Sequence, residues 1–316
     1  MPLKVTEEDF IRVWHKTGSP QLTAQALGLT IRNVYSRRAN LAEKGIFLPT
    51  QDKRGLPSKW NVDAAAKQHF ERSREIEVKN GHVVVFSDPH FYPDASRTAQ
   101  EALLAVIREL KPKAVLCGGD ALDGTQISRY DPTRGWHQPP SVAEQLDCMI
   151  GAMTEIRQAA GKGVITMMTL GNHDARLSRY LAVHAPHVEK LPFTSLEDFI
   201  PSWPLSWTVR INRNTVLRHR NQAGMLHLQA QKAGCHYIHG HLHRLNVHAQ
   251  AQYERFLYSV DCGSFADPSS DAFDYAEDGP PHVQGFAVLT YKNGELLWPE
   301  LCYIQGGKAY FRGQPV

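Results

Sequence analysis

The run Val164-Ile165-Thr166-Met167-Met168-Thr169-Leu170 leads directly into Gly171-Asn172-His173-Asp174. The first seven residues hold no charge and no turn former, so they read as a buried strand. The next four place a neutral amide, an imidazole and a carboxylate at its carboxyl end. One strand delivering such groups marks a candidate site. A second and third doing the same would make it a converging one.

Other strands do the same. His82 to Phe86 is an apolar strand followed by Ser87-Asp88-Pro89-His90. Ala114 to Cys117 is another, followed by Gly118-Gly119-Asp120-Ala121-Leu122-Asp123. Residues 95–110 have the apolar period of an amphipathic helix, through Leu103, Leu104, Val106, Ile107 and Leu110. Further helices are expected at 141–159 and 175–184, with a long loop at 124–140. Trp207 to Ile211 and Thr215 to Leu217 read as paired strands, the second running into Arg218-His219. A helix near 224–233 leads to His236-Tyr237-Ile238 and then His239-Gly240-His241-Leu242-His243. Alternating strands and helices predict an α/β domain. Loops at the carboxyl ends of such strands converge on one crevice. Asp88, His90, Asp120, Asp123, Asn172, His173, Asp174, His219, His241 and His243 are thereby expected to meet. Carboxylate, imidazole and amide donors suit divalent manganese, iron or zinc. They exceed the needs of one ion, so a carboxylate shared between two is the economical arrangement.

Asp88-x-His90, Gly119-Asp120-x-x-Asp123, Gly171-Asn172-His173-Asp174, His219 and Gly240-His241-x-His243 resemble, in order and spacing, the signature blocks of the calcineurin-like metallophosphoesterases. The departure is Arg220 after His219, where that family often has Gly. The resemblance covers about residues 80–305. It implies an α/β, four-layer fold: a β-sandwich of two mixed sheets flanked by helices, with a two-metal site at one edge. It implies one metal on Asp88, His90 and His243, a second on Asn172, His219 and His241, and Asp120 bridging them. His173 would face the scissile phosphate, Asp174 would orient His173, and Asp123 would orient the metal-bound histidines. The nucleophile would be a hydroxide held between the two ions, manganese foremost, with iron or zinc as alternatives. Gly171 would permit a tight turn. Arg176 is a candidate contact to substrate phosphate.

The N-terminal residues read differently. Thr6 can cap a helix that begins with Glu7, Glu8 and Asp9, as a helix N-terminus favours. Gly18-Ser19-Pro20 breaks it. A short helix, a turn at Gly28 and a longer helix capped by Thr30 then follow, a helix-turn-helix pattern. Ile31, Val34, Tyr35 and Leu41 are expected to pack inward. Arg32, Asn33, Ser36 and Arg37 are expected to face out, where a recognition helix meets a major groove. This segment resembles the helix-turn-helix modules of bacterial and phage DNA-binding proteins. The expected organisation is a small all-α DNA-binding domain over 1–50, a linker and bridging helix over 51–79, the helix running to Ile76, and the catalytic domain over 80–316.

Composition bounds the rest. The net charge is only +3, with the basic surplus in the first 80 residues, so a polyanion is a partner for that part alone. The five cysteines lack a CxxC pair, which argues for reduced thiols. No apolar run approaches the ~18 residues of a membrane span, and no signal-peptide core opens the chain. A cytoplasmic protein is expected. Phe91, Tyr92, Tyr130 and Trp136 are candidates for stacking on bases. The leading expectation is a metal-dependent nuclease acting on DNA, with an overall arrangement resembling phage or prophage enzymes. The alternative is a protein phosphatase or small-molecule phosphodiesterase whose N-terminal helices serve docking or regulation. Oligomeric state is left open.

Overall fold

Strand β2 (Gly81–Phe86) shows why two layers must cover it. Val83, Val84, Val85 and Phe86 are all buried. Alternate side chains of a strand leave opposite faces, so both faces need a partner. Val83 and Val85 join one core cluster, and Val84 and Phe86 join another. The computed structural model describes residues 5–44, 46, 48, 70–128, 139–188, 191–220, 228–273 and 281–316.

Among these residues two mixed sheets form. Parallel strands β2, β3 (Ala114–Cys117), β4 (Ile165–Thr169) and β5 (Leu205–Ser206) make half of the larger one. On the other side of β2, β11 (Gly285–Lys292), β13 (Glu300–Gln305), β14 (Lys308–Phe311) and β15 (Gln314–Pro315) continue it antiparallel. The second sheet has the order β1-β6-β7-β8-β10-β9. Its strands are β1 (Arg74–Ile76), β6 (Val209–Ile211), β7 (Thr215–Arg218), β8 (His236–His239), β9 (Asn246–Ala251) and β10 (Phe256–Asp261).

The inner faces of both sheets share one core, containing Val83, Val85, Leu116, Val209, Leu217, Ile238, Val260 and Leu289. The outer face of the larger sheet packs on the helices Thr98–Leu110 and Val142–Ala160 through Leu103, Ile107, Met149 and Met153. The outer face of the smaller sheet is covered by the short helix Gln229–Ala233, through Ala230 against Val216 and Tyr237. Helix, sheet, sheet and helix give the four layers. No helix among the described residues is long and apolar enough to cross a membrane.

The expected bridging helix through Ile76 is corrected at its described end. Residues 74–76 form a strand, paired in parallel with β6. Ile76 and Val78 are both buried with Glu77 exposed between them. That period of two seats them on the inter-sheet core, which a helix could not do. Residues 70–73 are not helical either; the part of that expected helix before Phe70, the linker, Tyr130 and Trp136 lie outside the described residues.

The N-terminal helices α1 (Glu7–Thr17), α2 (Pro20–Leu27) and α3 (Ile31–Glu43) have a core of their own: Phe10, Trp14, Ala24, Val34 and Leu41. Thr6 accepts the Asp9 N–H and Thr30 the Asn33 N–H as N-caps. Gly18 and Gly28 close α1 and α2 in the left-handed conformation. Two expectations on α3 need correction. Ile31 and Tyr35 are exposed, so among the described side chains Val34 and Leu41 carry its inward face. Arg37 turns inward: its guanidinium donates to the Val5 carbonyl at 3.1 Å and lies 6.0 Å from the Phe10 ring. Its stem packs on the small core and its head satisfies the carbonyl just before the N-cap of α1. Arg32, Asn33 and Ser36 are exposed.

Leu116 is wholly buried between the sheets. Leu116→Ala should lower the unfolding free energy by about 2–5 kcal/mol, read as a lower urea midpoint with an unchanged slope.

Candidate metal centre

Strands β2, β3 and β4 of the larger sheet and β7 and β8 of the smaller one lead into the centre, which the loops after them build. A strand can release its chain into a site only by a sharp bend. The bends here use left-handed backbone at non-glycine residues: Asp88, His90, Asp120, His241 and His243 all have φ between 37° and 71°. Such conformations are uncommon outside glycine and cost about 1–3 kcal/mol each. They persist because hydrogen bonds hold each turn. Asp88 N–H donates to the Gly119 carbonyl, and His90 N–H to the Asp120 carbonyl.

The donors fall into two sets around Asp120. Asp88, His90 and His243 form one buried cluster and Asp120, His219 and His241 another. His243 Nε2 is 3.0 Å from Asp88 Oδ1. His219 Nε2 is 3.1 Å from Asp120 Oδ2 and 3.2 Å from Asn172 Oδ1. Asp120 Oδ2 is also 4.0 Å from His90 Nε2. One carboxylate oxygen thus faces both sets. Arg220, the residue that departs from the family pattern, is exposed beside them, its Nε 3.4 Å from Asn172 Oδ1.

The protonation pattern suits cations. His90 Nδ1 lies 3.0 Å from Asp123 Oδ1, while its Nε2 is buried without a hydrogen-bond partner among the described residues. A buried ring nitrogen left open toward two carboxylates is what a metal would fill. Burial pushes the Asp88 carboxyl up, but His243 and His219 beside it hold it below the usual range. Asp120 is likewise raised by burial and lowered further by His219 and His173, ending well below. Burial lowers His219, and Asp120 and Asp88 overcome this to hold it at about 9. Donor set and charge therefore fit two divalent ions, with Asn172 as a neutral oxygen.

Asp123 and His173 make a third cluster with His90. It is a support and not a third ion site, because the Asp123 carboxylate is already used. It faces His90 Nδ1 and, at 3.3 Å, His173 Nδ1, and it accepts the Thr125 hydroxyl. The ring of His173 is partly exposed. Its backbone N–H donates to Asp120 Oδ1 at 2.8 Å.

The role expected of Asp174 is corrected here. Its carboxylate does not orient the His173 ring. It accepts the backbone N–H of Asp120, Ala121, Leu122 and Gly171 at 2.6 to 3.2 Å. Asp123 is the carboxylate at the ring. Gly171 also differs: its φ is not left-handed. Glycine is needed because a Cβ there would overlap the Asp120 carboxylate. Arg176 donates to the Asp123 carbonyl at 2.6 Å and stands 3.0 Å from His173 Nε2. Phe91 and Tyr92 are buried, so neither is a stacking platform.

Sequence reading missed Ser87, whose hydroxyl donates to Asp88 Oδ2 at 2.6 Å. Its place next to Asp88 was the available signal. Gly240 was read only as part of its motif; the structure gives its reason, since a Cβ there would overlap both Ser87 and Asp88.

Residues 81–261 match the family of calcineurin-like phosphoesterases. The chain belongs to that family. It is accordingly a metal-dependent phosphoester hydrolase, and members of the family work with a dinuclear metal centre. Two solved structures are similar at low identity. One is YfcE, a phosphoesterase from E. coli, at 12% identity and TM-score 0.34, covering 69% of this chain and 97% of that one. The other is the Pseudomonas putida nuclease MPE, at 16% identity and TM-score 0.27, covering 69% and 86%. No curated protein matches the chain.

Three outcomes are expected. Gly171→Ala should displace Asp120 and weaken metal uptake by tenfold or more, on the order expected for disturbed ligand support, measured by calorimetric titration with manganese. The proton on His219 competes with metal, so metal affinity should climb by about tenfold per pH unit below 9 and level off above it. For the metal-free fold the sign is opposite. The raised His219 value stabilises fully below its unfolded value of 6.5, and that contribution is lost as pH rises through 9. Titrations and melts from neutral pH upward check both.

Proposed function

We propose that this chain hydrolyses phosphodiester bonds in DNA, with manganese the foremost candidate for its two ions. The observation that carries the DNA reading is the outward face of α3. Arg32, Asn33 and Ser36 are exposed together, on a three-helix unit with its own core. A major groove admits a helix presenting such side chains. The short turn at Gly28 between α2 and α3 supports the helix-turn-helix reading, and phage or prophage enzymes share that arrangement.

At the centre, Asp88, His90 and His243 would hold one ion, and Asn172, His219 and His241 the other, with Asp120 shared. Bound there, two divalent ions polarise phosphoryl oxygens and lower the pKa of the attacking water. The remaining work falls to the chain. Asp123 holds Nδ1 of His173. The Arg176 guanidinium donates to Nε2; turned to the phosphate oxygens it would free that nitrogen, and the ring protonated at both nitrogens would pass its Nε2 proton to the leaving oxygen. Ser87 and the His241 N–H, both on Asp88 Oδ2, fix that carboxylate.

A second reading has an observation of its own. Ile31 and Tyr35 are exposed at helical spacing on α3, which favours a protein docked there and a phosphatase or small-molecule phosphodiesterase as the activity.

A manganese-supplemented assay should compare single-stranded DNA, duplex DNA and a chromogenic bis-ester. Cleavage of DNA is expected, lost in Asp120→Asn. Hydrolysis of the chromogenic ester alone would overturn the DNA reading. Arg32→Ala should weaken duplex binding and lower the slope of log affinity against log salt by about one, with the small ester unaffected. His173→Asn should keep both ions yet lose about 10²–10⁴-fold in turnover.

A further inference from the structure

The segment after β10 returns over one half of the centre. Phe273 is buried, with its ring 5.5 Å from that of His90 and 6.3 Å from that of His243, both edge-on. His282 packs edge-on against Phe273 at 4.9 Å and against His243 at 4.0 Å. Its Nε2 lies 2.9 Å from His243 Nδ1.

That last distance has a chemical meaning. An imidazole that ligates through Nε2 must carry its proton on Nδ1, and a buried Nδ1–H needs an acceptor. His90 has the Asp123 carboxylate at 3.0 Å. His219 has the Gly118 carbonyl at 3.0 Å. His243, with Nε2 facing Asp88, has neither a carboxylate nor a carbonyl at Nδ1 among the described residues. It has His282.

We propose that His282 is a positioning residue of the metal centre: its Nε2 accepts the His243 Nδ1–H and holds His243 in the tautomer and orientation that ligate through Nε2, with the proton of His282 on its own Nδ1, which has no partner among the described residues. The Phe273 ring, edge-on to both imidazoles, keeps them in register and excludes water from the bond. This inference rests on the dinuclear reading of the site and is independent of the substrate. No motif marks His282, which follows Pro281 in a stretch without periodicity.

The test is a calorimetric titration of the metal-free full chain with manganese alone, in wild type, His282→Phe and His282→Gln. Phe keeps the ring and loses the acceptor, whereas Gln supplies an amide oxygen in its place. Two binding events are expected in wild type. In His282→Phe one should weaken by about 10–100-fold while the other is unchanged, and His282→Gln should recover most of the loss. Equal binding of two ions by all three proteins would overturn the inference alone, and so would equal impairment of the Phe and Gln variants. Fewer than two ions in wild type would overturn the dinuclear reading and the inference with it.

Discussion

The centre depends on one buried carboxylate that touches no candidate ion. Asp174 gathers the N–H groups of Gly171, Asp120, Ala121 and Leu122, and so ties the loop after β4 to the loop after β3. Burial, then the neighbouring Asp120 charge, push Asp174 up to about 6 while those N–H groups pull it down. The tie is needed because Asp120 sits in left-handed backbone, with φ 54°. A turn of that kind in an aspartate relaxes unless something over-determines it. Here the Asp174 carboxylate fixes the backbone, and the His173 N–H fixes the side chain through Oδ1. Oδ2 is then left at a set position between the two donor groups.

The same logic explains what could be read in the chain beforehand. The strands were legible because both faces of β2, β3 and β4 are covered, so their residues carry no Asp, Glu, Lys or Arg and are mostly apolar. The donor residues were legible because each follows such a strand within a few positions. What could not be read was what the donors do to one another. Asp174 and Asp123 are both acids near His173, and only the fold decides which meets the ring and which meets backbone. The family resemblance gave that role to the adjacent Asp174. The turn instead points that side chain beneath the loops, and Asp123 arrives from the neighbouring strand. Residues 74–76 were misread for a related reason: three residues are too short to separate a period of two from a helical one, and pairing with β6 decides.

The N-terminal unit makes a different point about charge. Counting basic residues overstated its outward face, because a small core recruits long side chains as cover. Arg38 lies 4.4 Å over the Trp14 ring and donates to the Leu48 carbonyl. Arg37 does the same service for Phe10 and Val5. A guanidinium stacked on an aromatic ring gains about 0.5–2 kcal/mol, a useful sum for a unit this small. Among the described side chains of α3, the fully exposed charge is that of Arg32, accompanied by neutral Asn33 and Ser36. Such a face is better suited to reading a surface than to gripping one by charge.

At the centre the balance of charge is settled by histidines. Buried carboxylates are costly alone. Asp88 and Asp120 stay ionised because His219 and His243 stand against them, and both histidines are raised by that contact. In the metal-free chain, protons on those rings supply the positive charge the carboxylates need. A ring nitrogen cannot hold a proton and a metal at once. Loading an ion therefore replaces one countercharge with another at the same atoms, and the geometry need not change for it to happen. That is why so polar a cluster can be built into the edge of an apolar sandwich: protons on His219 and His243 stand against the carboxylates before the cofactor arrives, and the cofactor enters by displacing them from rings already set by Gly118 and His282, while His90, set by Asp123, offers an open Nε2.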